Sequence, residues 1–213
     1  MSSGKFIAFE GGEGVGKSTQ VGMLAKALGS SGIATVTTRE PGGTPGAEAI
    51  RALLLGTEGE GWGARAEALL FAAARADHVE KLIRPALAEA NWVLCDRFLD
   101  SSRAYQGGGG GLTDADITAL HEIGSLGLLP DLTLLIEVDA QHAARRLAAR
   151  DVAGSDRIGG RDAAYHARVA ERFSQLADAE PARFVRIDGN GSVDETHALV
   201  MAALAPLIAE AGA

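Results

Sequence analysis

Gly11-Gly12-Glu13-Gly14-Val15-Gly16-Lys17-Ser18 is a complete G-x-x-x-x-G-K-[ST] match, set between an apolar run, Phe6-Ile7-Ala8-Phe9, and a helix-like stretch that begins near Lys17. A strand ending in glycines can turn its backbone N–H groups inward around an anion, and the helix that follows adds the positive end of its dipole. Lys17 then neutralises the outer phosphates, and the Ser18 hydroxyl is placed to reach a magnesium ion bridging them. A glycine-rich surface turn would need neither the lysine nor the strand-to-helix setting. The stretch therefore predicts a nucleoside triphosphate site, with Gly11, Gly12, Glu13, Gly14, Val15, Gly16, Lys17, Ser18 and Thr19 around the phosphates.

Outward from it, five apolar runs alternate with longer helix-like stretches: residues 5–10, 33–38, 92–95, 132–138 and 183–187. Such alternation predicts an α/β fold, a five-stranded parallel sheet with helices on both faces. Helices are expected over 18–30, 45–55, 64–90, 114–126, 162–179 and 193–211, with a mobile connection over the glycine-rich residues 56–63. The 213 residues suit one domain, 1–213. No apolar run approaches the roughly 20 residues that span a bilayer, and Met1-Ser2-Ser3-Gly4-Lys5 runs straight into the first strand, so a cytoplasmic protein without membrane attachment is expected. The single cysteine, Cys95, lies in an apolar strand, which excludes a disulfide framework. A net charge of −8 argues against a broad nucleic-acid surface and favours small phosphorylated ligands.

Several polar residues fall where open α/β sheets bind ligands, at the carboxyl ends of strands. The second strand runs into Arg39-Glu40-Pro41-Gly42-Gly43-Thr44, and the third into Asp96-Arg97-Phe98. An aspartate at that edge can hold a water of a magnesium shell, which makes Ser18 and Asp96 the metal candidates. Phe71 and Arg75 share a helical face, a spacing that on its own favours a core phenylalanine and a solvated arginine over a paired ligand site. Ser101-Ser102-Arg103-Ala104-Tyr105-Gln106 is rich in hydrogen-bonding groups, and Gly107 to Gly111 reads as a moving loop. Arg145, Arg146, Arg150, Arg157 and Arg161 cluster around the loop Asp151-Val152-Ala153-Gly154-Ser155-Asp156, either as a solvated charge run or as a lid over transferring phosphates, about 150–161.

Four stretches in order resemble the thymidylate kinase family: Phe9-Glu10-Gly11 through Lys17-Ser18-Thr19, Arg39 to Thr44, Leu70-Phe71-Ala72-Ala73-Ala74-Arg75, and Asp96-Arg97-Phe98 with Ser101, Ser102, Ala104, Tyr105 and Gln106. The resemblance implies a P-loop NTPase fold with a short lid and phosphorylation of dTMP to dTDP by ATP and Mg2+, serving dTTP synthesis. It implies that Phe71 stacks on thymine, Arg75 bonds its edge, and Arg97 and Arg39 hold the monophosphate, where a fixed guanidinium fork suits phosphate better than an ammonium. Pro41, Ser102 and Gln106 would complete the acceptor site, and Tyr105 would exclude a ribose 2′-hydroxyl. Glu13 would orient the acceptor side. Gly14 stands where some relatives carry an arginine, so Arg150 and Arg157 would supply the transition-state charge from the lid. The family also implies a homodimer, with 64–90 as the expected face. The chain departs from many relatives at Gly110 and Gly159, where an arginine and a glutamate are common.

Phosphoryl transfer needs positioning and cations more than covalent help, and the residues singled out are mostly cations and glycines. A guanine-nucleotide switch is disfavoured: N-K-x-D is absent, and the D-x-x-G run at Asp151 to Gly154 follows a helix-like stretch instead of a strand. Among enzymes the alternative is another nucleoside monophosphate kinase or a deoxynucleoside kinase.

Overall fold

The structure, a computed structural model, describes residues 4–56, 59–139, 142–143 and 156–211. Arg145, Arg146, Arg150 and the loop 151–155 lie outside the described residues.

The five strands are β1 (Phe6–Glu10), β2 (Thr35–Arg39), β3 (Trp92–Asp96), β4 (Leu132–Glu137) and β5 (Phe184–Asp188). They form one parallel sheet in the order β2-β3-β1-β4-β5. β1 is central and buried along its whole length, as a parallel strand covered on both faces must be. Ile7 and Phe9 face one layer, against Val21, Leu24 and Leu28 of α1 (Lys17–Ser30) and Val200 and Leu204 of α8 (Val193–Ala211). Phe6 and Ala8 face the other, against Ala68 of α3 (Ala64–His78), Phe98, and Ile117 of α6 (Asp114–Ser125). The chain crosses from one side of β1 to the other after β3. That reversal opens a crevice at the carboxyl ends of β1 and β3, where the phosphate loop and Asp96-Arg97 both emerge.

Strand boundaries shift slightly from the sequence expectation. Ile33 instead closes the end of α1, its N–H donating to Leu28 O at 3.0 Å, so β2 begins at Thr35. The expected long helix 64–90 is α3 followed by a π-helical stretch, Val79–Ile83, and α4 (Arg84–Ala88). Arg84 N–H reaches back five residues to Val79 O, just before Pro85, which has no N–H to continue an α-helical ladder. α2 (Pro45–Leu55) starts at a Thr44 cap, and α6 at a Thr113–Asp116 capping box.

One expectation is corrected. Gly107–Gly109 are helical and not loop residues: α5 (Leu99–Ser102) continues into a π-helical stretch, Arg103–Gly109, that lies against α7 (Ala163–Ala179), and only Gly110 and Gly111 fall beyond it. A Cβ on Gly108 would come within 2.6 Å of Arg172 Cβ, and one on Gly109 within 2.5 Å of Tyr165 Cε2. The glycines permit close approach of two helices, so their lack of side chains serves packing.

Candidate active site

β1 delivers the phosphate loop. Gly11, Gly14 and Gly16 adopt left-handed backbone at φ 133, 70 and 101°, and a Cβ on Gly11 would collide with Ile136 O. α1 begins at Gly16 without a side-chain cap, so its first N–H groups face the loop's mouth. The buried Lys17 ammonium folds over the loop, donating to Gly12 O at 2.6 Å and Gly11 O at 3.2 Å, and its burial pulls it down to about 8. Ser18 Oγ donates to Asp96 Oδ2 at 2.5 Å across the gap between α1 and the end of β3. This pair supplies only hard oxygen atoms, and no group of three His, Cys, Asp or Glu forms a ready-made metal cage among the described residues. Such a donor set suits Mg2+, which takes one or two protein oxygens and completes its shell with phosphates and water.

β3 delivers Arg97, which sits in left-handed backbone at φ 70°. Its guanidinium donates through Nη1 to Gly11 O at 2.9 Å and Ser101 Oγ at 3.1 Å, and through Nη2 to Glu13 Oε1 at 2.7 Å and Tyr105 Oη at 3.1 Å. The positive charge of Arg97 holds the Glu13 carboxyl down to about 2. Glu10, the last residue of β1, is fully buried. That burial and the charge of Asp100 push its carboxyl up to about 7. The buried Cys95 Sγ donates to Arg97 O at 3.0 Å, and burial raises the thiol well above its ordinary value, which suits packing and not nucleophilic work.

Beside the phosphate loop lies a partly open cleft. Glu13, Pro41, Phe71, Arg75, Arg97, Ser102, Tyr105 and Gln106 all line it, as anticipated from sequence. Arg75 is not a solvated helix arginine. Its Nε donates to Glu40 Oε2 at 2.7 Å and its Nη2 to Ser102 Oγ at 2.8 Å and Phe98 O at 3.2 Å. Glu40 Oε1 in turn meets His78 Nδ1 at 3.1 Å, and His78 Nε2 meets Thr38 Oγ1 at 2.7 Å. Gln106 Nε2 donates to Glu67, which pairs with Arg161. Tyr105 lies with its ring 4.9 Å from the Arg97 guanidinium.

Two anticipated residues stand elsewhere. Arg39 pairs with Glu48 at 3.0 Å and borders a separate cleft with Ser18, Thr38 and Asp96. Arg157 donates to Gly56 O at 2.6 Å and Gly59 O at 3.4 Å, on the connection between α2 and α3, while its neighbours Asp156 and Ile158 line the acceptor cleft. The sequence reading missed Arg51, which lines the cleft from α2 and donates to Pro41 O at 2.7 Å. A lone arginine on a helix carries no pattern. Glu40 lay inside a noted stretch, and only its contact with a buried arginine marks it.

The sequence model of the thymidylate kinase family matches residues 9–200. The thymidylate kinase of Rhizorhabdus wittichii is 57% identical over 96% of this chain and 99% of its own, and that of Bradyrhizobium sp. strain BTAi1 is 48% identical over 92% and 88%. The crystal structure of thymidylate kinase from Ehrlichia chaffeensis superposes with a TM-score of 0.77 at 31% identity, covering 95% of this chain and 99% of that one. The crevice between β1 and β3 and the sequence relatives lead to the same conclusion: the chain belongs to the thymidylate kinase family.

Proposed function

We propose that the protein transfers the γ-phosphoryl group of ATP to the phosphate of dTMP, giving dTDP and ADP. The observation that carries this reading is the shared wall at Arg97 and Glu13: the acceptor cleft and the phosphate loop meet there, so two nucleotides can be held with their phosphates facing. An acceptor phosphate oxygen attacks the γ-phosphorus, and the bond to the β,γ-bridging oxygen breaks. Lys17 and the N–H groups of the phosphate loop hold the donor. Ser18 and Asp96 would hold Mg2+, whose charge would offset that of the donor phosphates. Arg97 and Arg51, which both line the cleft, orient the acceptor phosphate, and Glu13 fixes the Arg97 fork. Phe71 stacks on the base, Arg75, Ser102 and Gln106 read its edges, and Tyr105 crowds the sugar 2′ position. Arg150 and Arg157 meet the charge of the transferring phosphoryl group when the lid, about 150–161, turns inward; Arg39 contributes to the anion field at the edge of the sheet.

Residues 1–213 act as one domain in this reading, and the working form is a homodimer in the cytoplasm. Support for the dimer comes from Leu69 on α3, with Ile123 and Leu126 on α6 and at its end, apolar side chains 57%, 81% and 75% exposed on two helices that pack together. The net charge of −8 supports nucleotides rather than nucleic acid as partners. The reading is tested by single turnover with γ-labelled ATP: the label should appear in dTDP, and label released only as inorganic phosphate would contradict it.

A further inference from the structure

Glu10 has no part in the chemistry above, yet it is a fully buried carboxylate at the root of the phosphate loop. Oε1 accepts the N–H groups of Phe98 at 2.8 Å and Ser101 at 3.0 Å, and Oε2 accepts the Ser101 hydroxyl at 2.6 Å. These donors are neutral, and burying a carboxylate among neutral donors is costly. What the two carboxyl oxygens secure is a direction. With the Ser101 proton committed to Glu10, the hydroxyl oxygen turns its lone pairs to Arg97 Nη1, 3.1 Å away. The two backbone bonds also tie down the turn that follows Arg97, while Arg97 N–H itself donates to Phe9 O at 2.9 Å, so the left-handed Arg97 is held from both sides. The next residue after Glu10, Gly11, accepts from the same Nη1.

We propose that Glu10, acting through Ser101, is a positioning residue that fixes the Arg97 guanidinium between the phosphate loop and the acceptor cleft; the proposal rests on the functional reading above. Glu10 touches neither nucleotide. It sets how well the acceptor phosphate is gripped, and ATP binding does not depend on it.

The test uses Glu10→Gln and Ser101→Ala, each alone and combined with Arg97→Ala, with dTMP binding followed by calorimetry and KM and kcat measured for both nucleotides. Glutamine keeps the size of Glu10 but turns an amide toward the Ser101 hydroxyl, and alanine removes the relay. Each single variant should bind dTMP about tenfold more weakly with an ATP KM changed less than about twofold, and neither should weaken dTMP further once Arg97 is gone. Parental dTMP affinity, an equal loss for both nucleotides, or the same additional loss in the Arg97→Ala background would overturn the proposal. A parent that does not turn over dTMP would overturn the functional reading instead. The relay is then judged from thermal unfolding of the parent, Glu10→Gln, Arg97→Ala and the double variant: non-additive shifts are expected, and additive shifts refute it.

Discussion

Arg75 and Glu40 form an ion pair closed to solvent on both sides, 2.7 Å apart with side chains 3% and 4% exposed, and it stands on the wall of the acceptor cleft. Burial alone would raise the Glu40 carboxyl, but Arg75 and His78 outweigh it and hold the group below the ordinary carboxylate range. A depressed acid contributes stability that is present near neutral pH and lost as pH falls through its folded value. Glu40→Gln leaves the buried guanidinium without its counter-charge, so a loss of about 3–5 kcal/mol at neutral pH is expected. Thermal unfolding as a function of pH checks both points. The acid decline of the parent should shrink in the variant, and an equally steep decline would place the titrating group elsewhere.

Phe71 is half-buried, lining the cleft while packing against the cluster that contains Tyr105 and Phe173. Phe71→Ala is expected to raise the dTMP requirement by about tenfold or more, since stacking of a base on an aromatic ring is worth roughly 1–3 kcal/mol. Steady-state titration of dTMP at saturating ATP checks this. Unchanged affinity with reduced stability would make Phe71 a core residue only.

Gly109 is held where α7 passes closest. An alanine methyl there would lie 2.5 Å from the Tyr165 ring and 2.9 Å from Val169 Cγ2, so Gly109→Ala should destabilise the fold by about 1–3 kcal/mol. Tyr165 Oη also donates to Tyr105 O at 3.0 Å, so a displaced Tyr165 should disturb Tyr105 and weaken dTMP binding as well. Melting of the variant at the parental temperature would contradict the packing role.

Arg157 donates to the carbonyls of Gly56 and Gly59, and in the proposed lid it would leave them to reach a transferring phosphoryl group. An arginine that acts mainly in the transition state lowers kcat and kcat/KM together. Arg157→Ala and Arg150→Ala are each expected to lose at least about tenfold in turnover with little change in ground-state nucleotide binding. Arg145→Ala should lose much less, and parental turnover in both lid variants would move the compensating cation elsewhere.

The sheet was legible because a parallel strand buried on both faces must be mostly apolar, as β1, β3 and β4 are up to the acidic residues Glu10, Asp96 and Glu137 at their carboxyl ends. The phosphate loop was legible because few backbones other than its own need that spacing of glycines before a lysine. Much of the acceptor wall followed from the family resemblance: the spacing of Phe71 and Arg75 alone favoured a core phenylalanine and a solvated arginine. Contacts between distant segments were not legible. Nothing local distinguishes Arg51 from a solvent arginine, or shows that His78 and Thr38 stand behind Glu40. The glycine run misled for the same reason, because freedom of the backbone and room for a neighbouring helix leave one signature in the sequence.

The central claim is tested most directly by coupled measurement of ADP release from ATP and Mg2+ with dTMP, dUMP, dCMP, dGMP and UMP offered separately. dTMP is expected to give the highest kcat/KM, with Lys17→Ala abolishing the signal in a protein that remains folded. Slow ADP release that no monophosphate accelerates, or a clear preference for a monophosphate other than dTMP, would contradict it.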